Sequence, residues 1–117
     1  MMNNTLLVGR ITDDLKIHKT ENEKSYTDMT VAVPRSYKNE DGVYEIDFIK
    51  CRLWGALADN TVEYCSKGDL IGVKGRIETR TYEDENGKHY VQEVVADKVT
   101  FLSSKQKEKE NSDEMNI

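Results

Sequence analysis

Short runs rich in Val, Ile, Thr and Tyr, separated by Asn, Asp and Gly, fill most of the chain up to residue 102. Such runs are typical of β-strands, because β-branched and aromatic side chains suit a pleated, half-buried surface. They predict strands at residues 6–11, 29–33, 47–54, 70–82 and 90–102. The second run ends at Pro34, and strict alternation beyond it would place Arg35 and Tyr37 on the face of Val31 and Val33. Either Pro34 marks a bulge or the strand end, or Arg35 and Tyr37 point away from the other candidate residues, and both alternatives stay open.

Two turn signals and one helical segment fix the order of these elements. Asp41-Gly42 and Asn86-Gly87 favour the positive φ angles of tight hairpins, so we expect extended hairpin loops there. Between Leu57 and Cys65 apolar residues recur about every 3.6 positions, which predicts a short helix that stops at Lys67-Gly68. Three strands, a helix and two strands indicate an all-β fold, a five-stranded OB-fold Greek-key barrel with the helix between strands 3 and 4.

Alternation along the third predicted strand separates two kinds of side chain, because successive residues point to opposite faces. One face carries Ile49, Cys51 and Leu53. The other face carries Phe48, Lys50, Arg52 and Trp54. The first set is an ordinary core, whereas the second cannot be a core without burying two unpaired charges.

The fourth predicted strand has the same arrangement. Its apolar face carries Ile71, Val73, Gly75, Ile77 and Thr79. Its other face carries Lys74, Arg76, Glu78, Arg80 and Tyr82. We expect these two strands to be neighbours, so that their rings and cations form one surface over an apolar layer. Such surfaces hold single-stranded nucleic acid with little sequence preference, because bases stack on rings and phosphates pair with cations.

Two alternatives to this interpretation stay open. Charged and aromatic residues that alternate on one strand often mark no more than a solvated sheet, although two such strands weaken that explanation. Trp54 is the only tryptophan of the chain, and tryptophan is more often part of a core than a ligand platform.

Composition gives the domain limits and qualifies the nucleic-acid hypothesis. The chain has 117 residues and a net charge of −5, which fits one domain, at residues 1–102, followed by a short tail. The tail, residues 103–117, is polar and of mixed charge, so we expect it to be disordered. The acidic balance argues against a nucleic-acid partner, but carboxylates such as Asp13-Asp14 and Glu83-Asp84-Glu85 fall largely off the predicted surface. We therefore expect a locally cationic face.

Other classes of protein are disfavoured by the sequence. No apolar run approaches the ~18 residues of a membrane span, and the first residues lack the features of a secretion signal, so we expect a cytoplasmic protein. Cys51 and Cys65 fit small buried hydrophobes, and His18 and His89 fit surface residues. Gly72 and Gly75 do not form a phosphate loop, and we expect them to serve sharp curvature or close packing in a small barrel. We expect no catalytic site, metal or cofactor, and hence no enzyme.

An ordered set of segments resembles the bacterial and phage single-stranded DNA-binding proteins (the SSB family). The matching stretches are Asn4 with residues 7–12, then residues 31–35, 47–51 with Trp54, 57–60, 67–76, 79–82 and 94–97. The resemblance implies a homotetrameric OB-fold that wraps single-stranded DNA and acts without catalysis in replication, recombination and repair. It also implies a cytoplasmic, nucleoid-associated protein, of host, phage or mobile-element origin.

The same resemblance implies which residues bind DNA. Its base-stacking rings correspond to Tyr37, Phe48, Trp54 and Tyr82. Its phosphate contacts correspond to Arg35, Lys50, Arg52, Lys74, Arg76 and Arg80. Tyr37 and Arg35 enter only through the resemblance.

The tail differs from that of many family members, which end in Asp-Ile-Pro-Phe and dock on replication or recombination enzymes. Here the acidic and apolar tip that would dock a partner is Asp113, Glu114, Met115 and Ile117. The altered tip and the net negative domain leave an alternative function, an OB-fold protein-interaction module that resembles a primosome accessory component and binds DNA weakly.

Overall fold

A computed structural model describes residues 1–105; the predicted docking tip lies outside this range. The elements are β1 (Thr5–Ile11), β2 (His18–Lys19), β3 (Ser25–Lys38), β4 (Tyr44–Trp54), α1 (Gly55–Tyr64), β5 (Leu70–Asp84) and β6 (Gly87–Ser103).

The strands form one sheet in the order β1-β5-β6-β4-β3-β2, and β1 also pairs with β3. The second pairing joins Arg10 to Ala32 and Ile11 to Val31, which closes the five long strands into a barrel. Helix α1 lies between the third and fourth long strands in chain order. The predicted all-β OB-fold is therefore confirmed, with β2 as an additional short strand.

Strand β3 is longer than the sequence predicted. Pairing with β4 continues past Pro34, which lies opposite Ile46, and reaches Lys38 after an irregularity in register. Pro34 has no N–H to donate, but among residues 1–105 β3 pairs with β1 only near Val31 and Ala32, so the other edge of the strand is unpaired at the proline. An unpaired edge tolerates proline. Of the alternatives left open at Pro34, the strand end is therefore wrong, whereas the irregularity between Pro34 and Lys38 fits a bulge.

The prediction that the two strands of the ring-and-cation surface are neighbours is wrong, because β6 lies between β4 and β5. A hairpin at Gly87, which has a φ of 111°, folds β6 back along β5. Strand β6 then runs parallel to β4 at Cys51↔Val94 and Arg52↔Val95. Alternation within a strand shows which residues share a face but not which strand lies beside it. The sequence therefore could not show that β6 lies between β4 and β5.

The core lies inside the closed part of the barrel and beneath α1. Its most completely buried large side chains are Ile11, Met29, Val31, Leu53 and Ile71. Helix α1 contributes Ala58, and both cysteines are buried as predicted. A Cβ on Gly75 would overlap the carbonyl oxygen of Val95, which confirms that this glycine serves close packing.

The β5–β6 hairpin continues beyond the core. Ile77 was predicted to be a core residue but is 50% exposed, and Thr79 is exposed as well. Both residues keep the face that alternation assigns to them. The prediction is wrong because the two hairpin strands pair as far as Asp84↔Gly87, past the end of the barrel wall that would cover that face.

Candidate nucleic-acid interface

Strand β4 presents its rings and cations on the outside of the barrel. Phe48 is 66% exposed, whereas Leu53 is fully buried, as the alternation in the sequence predicted. Trp54 is partly exposed and lies on the outer side with them, so it is not a core residue. The outer side continues across β6 to β5, because Val95 lies between Arg52 and Arg76 in the register of the three strands. We call this surface the outer face.

The rings and cations of the outer face come from β3, β4 and β5. They are Tyr26, Phe48, Lys50, Arg52, Trp54, Arg76, Arg80 and Tyr82.

Arg52 and Trp54 are held together by two residues of β3. Tyr26 lies opposite Trp54, with ring centroids 5.2 Å apart. The guanidinium carbon of Arg52 is 4.6 Å from the centroid of Tyr26 and 5.6 Å from that of Trp54. Arg52 donates two hydrogen bonds to Asp28, at 2.8 and 3.0 Å, and these bonds raise the pKa of Arg52. The arginine is therefore fixed over the two rings.

A third ring extends this arrangement to β2. His18 lies opposite Tyr26, with ring centroids 5.3 Å apart, and Lys24 places its Nζ 4.7 Å from the centroid of Trp54. We call His18, Tyr26 and Trp54 the ring row. Sequence reasoning missed Tyr26 and assigned His18 only to the surface. The sequence shows that Tyr26 and Asp28 share one face of a strand, because they are two residues apart. It does not show that β2 pairs with β3.

A cleft separates the first half of β4 from the β5–β6 hairpin. It encloses about 480 Å³, and its walls include Phe48, Lys50, Ile77 and Tyr90. Tyr90 is 77% exposed, so the cleft offers a ring on each side and a cation. Farther along the hairpin, Tyr82 stacks on His89 at 4.8 Å with an angle of 22° between the planes. Nucleobases could stack on any of these exposed rings.

Carboxylates hold four of the arginines predicted to contact phosphate. The ion pairs are Arg35 with Glu45 and Asp47, Arg52 with Asp28, Arg76 with Glu78 and Asp97, and Arg80 with Glu93. The expectation that acidic residues lie largely away from the cationic face is therefore wrong. Most of these carboxylates reach the arginines from a neighbouring strand, which the alternation within one strand does not show.

Arg35 lies on the opposite side of the β3–β4 ribbon from Phe48. It donates hydrogen bonds to Asp47 at 3.0 and 3.2 Å, and Asp47 lies opposite Val33 on the side that β4 turns inward. These bonds lower the pKa of Asp47 and raise that of Arg35. Tyr37, beyond the irregularity in β3, is 64% exposed.

The remaining predicted cation, Lys74, lies opposite Leu6 of β1 and Lys98 of β6. The structure therefore brings Phe48, Lys50, Arg52 and Trp54 together, places Arg76, Arg80 and Tyr82 two strands away on the same face, and separates Arg35 from both groups.

The structure offers few features of a reactive or metal-binding centre. Burial, and then the charge of Glu93, raise the pKa of Cys51 to about 11, so its thiol is protonated at neutral pH. Among residues 1–105, no three His, Cys, Asp or Glu side chains cluster as metal ligands would. In the same range no helix is both long and apolar enough to span a membrane.

Comparison with known proteins finds one matching family model and relatives with similar names. A model of the single-strand binding protein family matches residues 2–102. Single-stranded DNA-binding protein B of Bacillus subtilis strain 168 is 47% identical over 110 residues, covering 93% of this chain and 97% of that protein. Single-stranded DNA-binding protein 3 of Listeria innocua is 46% identical over 107 residues, covering 91% of this chain and 67% of that protein. A single-stranded DNA-binding protein of Streptococcus pyogenes serotype M3 is 44% identical over 106 residues, covering 90% and 65%.

Proposed function

Because this chain belongs to the single-strand binding protein family, we propose that it binds single-stranded DNA by stacking bases on the rings of the outer face and pairing phosphates with its cations. This is a binding role without a chemical step. The rings that we assign to stacking are Phe48, Trp54 and Tyr82 of the outer face, and Tyr37 beyond it. The cations that we assign to phosphates are Lys50, Arg52, Arg76 and Arg80 of the outer face, together with Arg35 and Lys74 outside it.

One observation carries this proposal: β4 turns rings and cations outward while its alternate residues fill the core. Phe48 is 66% exposed, and Cys51 and Leu53 on the other face are 1% and 0% exposed. An exposed ring beside Lys50, in a cleft that also presents Tyr90, is the combination of stacking surface and charge that holds a single strand.

The ion pairs shape how phosphates bind. A phosphate that reaches Arg76 or Arg80 replaces a carboxylate that already holds the guanidinium. Exchange of one anion for another gains less than capture of an anion by a free cation, because the attraction between the carboxylate and the guanidinium is lost in the exchange. We therefore assign a large share of the affinity to stacking on the rings.

Titration with oligo-dT tests the function directly. Bases stacked on Trp54 should quench its fluorescence. The logarithm of the affinity should fall with the logarithm of the salt concentration, with a slope of about −0.7 per phosphate neutralised. An absence of quenching together with an absence of salt-dependent retention on single-stranded DNA would overturn the proposal.

The biological role that we propose is to coat and protect single-stranded DNA during replication, recombination and repair. Such a protein works in the bacterial cytoplasm, on nucleoid DNA or on the DNA of a phage or mobile element. The acidic and apolar tip, Asp113, Glu114, Met115 and Ile117, would dock replication or recombination proteins. Pulldown with and without residues 103–117, after nuclease treatment, tests that contact.

We also propose that the chain assembles as a homotetramer. Leu6 is 78% exposed and Val8 is 55% exposed on the outside of β1, where Lys74 and Thr100 line the same groove. Exposed apolar groups of this kind mark interfaces. Sedimentation at micromolar concentration should give four copies of the 13.5 kDa chain, and a 13.5 kDa species would contradict the proposal.

The alternative of a protein-interaction module with weak DNA binding is not favoured. The relatives described above are named for single-stranded DNA binding, and the outer face combines stacking rings with cations.

A further inference from the structure

We propose that Tyr26 and His18 continue the base-stacking surface beyond Trp54, across β3 to β2, so that one DNA strand follows the ring row to the edge of the sheet. This inference rests on the proposed function and adds two binding residues to it. It is carried by the cross-strand placement of the rings, since Tyr26 pairs with Trp54 on one side and with His18 on the other.

The spacing and exposure of the rings suit a run of bases. Neighbouring centroids are 5.2 and 5.3 Å apart, and the ring planes are tilted by 42° and 30° rather than packed face to face. His18 is exposed, and Tyr26 and Trp54 are each partly exposed. Every base has a π-face, so successive bases could stack on successive rings without regard to sequence.

Cations accompany the row along its length. Arg52 lies over both Tyr26 and Trp54, and Lys24 reaches Trp54 from the segment that precedes β3. Asp28 accepts both hydrogen bonds of Arg52 and so fixes the guanidinium beside the rings. Cations beside a row of rings are the combination that holds single-stranded DNA, because each nucleotide of the DNA adds one base and one phosphate.

A purely structural role for the row is the competing explanation, since cation–π contacts also stabilise sheets. The core beneath the row is already complete, because Thr27 and Met29 alternate with Tyr26 and Asp28 and are 0% and 1% exposed. His18 and Lys24 are exposed and contribute little to burial. The row is therefore better explained by a ligand than by a need of the fold.

Photo-cross-linking on the intact chain separates the two explanations. An oligo-dT that carries 5-iododeoxyuridine is irradiated with the protein, and the tryptic peptides are then identified by mass spectrometry. Trp54 lies in residues 53–67, Tyr26 in residues 25–35 and His18 in residues 17–19, so each ring reports separately. Cross-links to all three peptides are expected. Cross-links to residues 53–67 with no cross-link to residues 25–35 and none to residues 17–19 would overturn the inference, while the proposed function would stand.

Substitution gives the energetic measure. Tyr26→Ala should weaken binding to dT roughly 5- to 150-fold, whereas Tyr26→Phe keeps the ring and should change it less than about 2-fold. His18→Ala should weaken binding without altering thermal unfolding. Tyr64→Ala, on α1, removes an exposed ring away from the outer face and is the matched control.

The outcomes are distinct. If Tyr26→Ala does not fold, the cross-links of the wild-type chain decide between a ligand-binding role and a structural role for the ring row. Loss of binding in Tyr26→Ala without any cross-link to residues 25–35 would identify a structural role and overturn the inference. Failure of the wild-type chain to bind dT would instead overturn the proposed function.

Discussion

At the scale of single residues, Arg76 shows how neighbouring carboxylates reduce the positive charge of the outer face. It donates a hydrogen bond to Asp97 at 2.8 Å and is paired with Glu78 at 2.7 Å, so it is already surrounded by negative charge. Both carboxylates are about half exposed, and such pairs contribute at most ~1 kcal/mol to stability. They also act on ligand binding, because they compete with phosphate for the guanidinium.

Neutralising Asp97 should consequently strengthen DNA binding. Asp97→Asn keeps the size of the side chain but removes one of the two competing charges from Arg76, and Glu78 keeps its charge. We expect higher affinity for dT and a slope of log affinity against log salt that is steeper by up to about one. Fluorescence titration over a range of salt concentrations measures both.

Asp59→Asn provides the control, because it removes one exposed carboxylate from α1, away from the outer face. An equal gain in both variants would show that net charge alone is responsible. Unchanged binding in Asp97→Asn would contradict the prediction that Asp97 competes with phosphate for Arg76.

Cys51 allows a prediction from its ionisation. Burial raises its pKa to about 11, and burial also raises the pKa of Cys65, so at pH 8 both thiols remain protonated in the folded chain. The thiolate is the reactive form. Native protein should thus react slowly with a thiol reagent at pH 8, and rapidly once denatured. A Cys65→Ala variant isolates Cys51, and a fast reaction of that variant while folded would contradict the assignment.

Alternation along single elements was the part of the structure that the sequence predicted well. It separated Phe48 from Leu53 on β4, and the Gly42 and Gly87 turn signals located both long hairpins. What it could not predict depends on register between strands. The contact of Tyr26 with Trp54 and that of Asp97 with Arg76 join residues 28 and 21 positions apart, and no local pattern encodes such distances.

The two faces of β4 should respond differently to truncation. Phe48→Ala should weaken dT binding by about 1–3 kcal/mol and leave unfolding nearly unchanged, since the ring is exposed. Leu53→Ala should lower the free energy of unfolding by about 2–5 kcal/mol, because it leaves a cavity in the core, and should not alter the affinity of the folded fraction. Denaturant unfolding and titration on both variants make the comparison. If Phe48→Ala unfolds the domain, the ring is a core residue.

Closure of the barrel is a property of the whole molecule that depends on close backbone approach. Where β1 meets β3, Gly9 is buried, and a Cβ there would overlap the carbonyl oxygen of Ala32. The register Arg10↔Ala32 and Ile11↔Val31 is the only β1–β3 pairing within residues 1–105. One residue without a side chain thus permits the contact that converts an open sheet into a barrel.

Gly9→Ala should accordingly destabilise the domain by about 1–3 kcal/mol, as overpacking does. Gly72→Ala on β5 is the matched control, because the nearest atoms to its new Cβ would be 3.9 Å away. Thermal and denaturant unfolding measure the difference. Equal stability of the two variants would show that the β1–β3 seam accommodates a methyl group.

The short β4–β6 seam has a consequence for the cleft above it. Two residue pairs join β4 to β6, whereas β5 and β6 are paired along nearly their whole length. Each long ribbon is paired along most of its length, whereas β4 and β6 part beyond these two pairs, and the cleft opens where they part. Its walls come from both hairpins, so a ligand that fills the cleft contacts both ribbons at once.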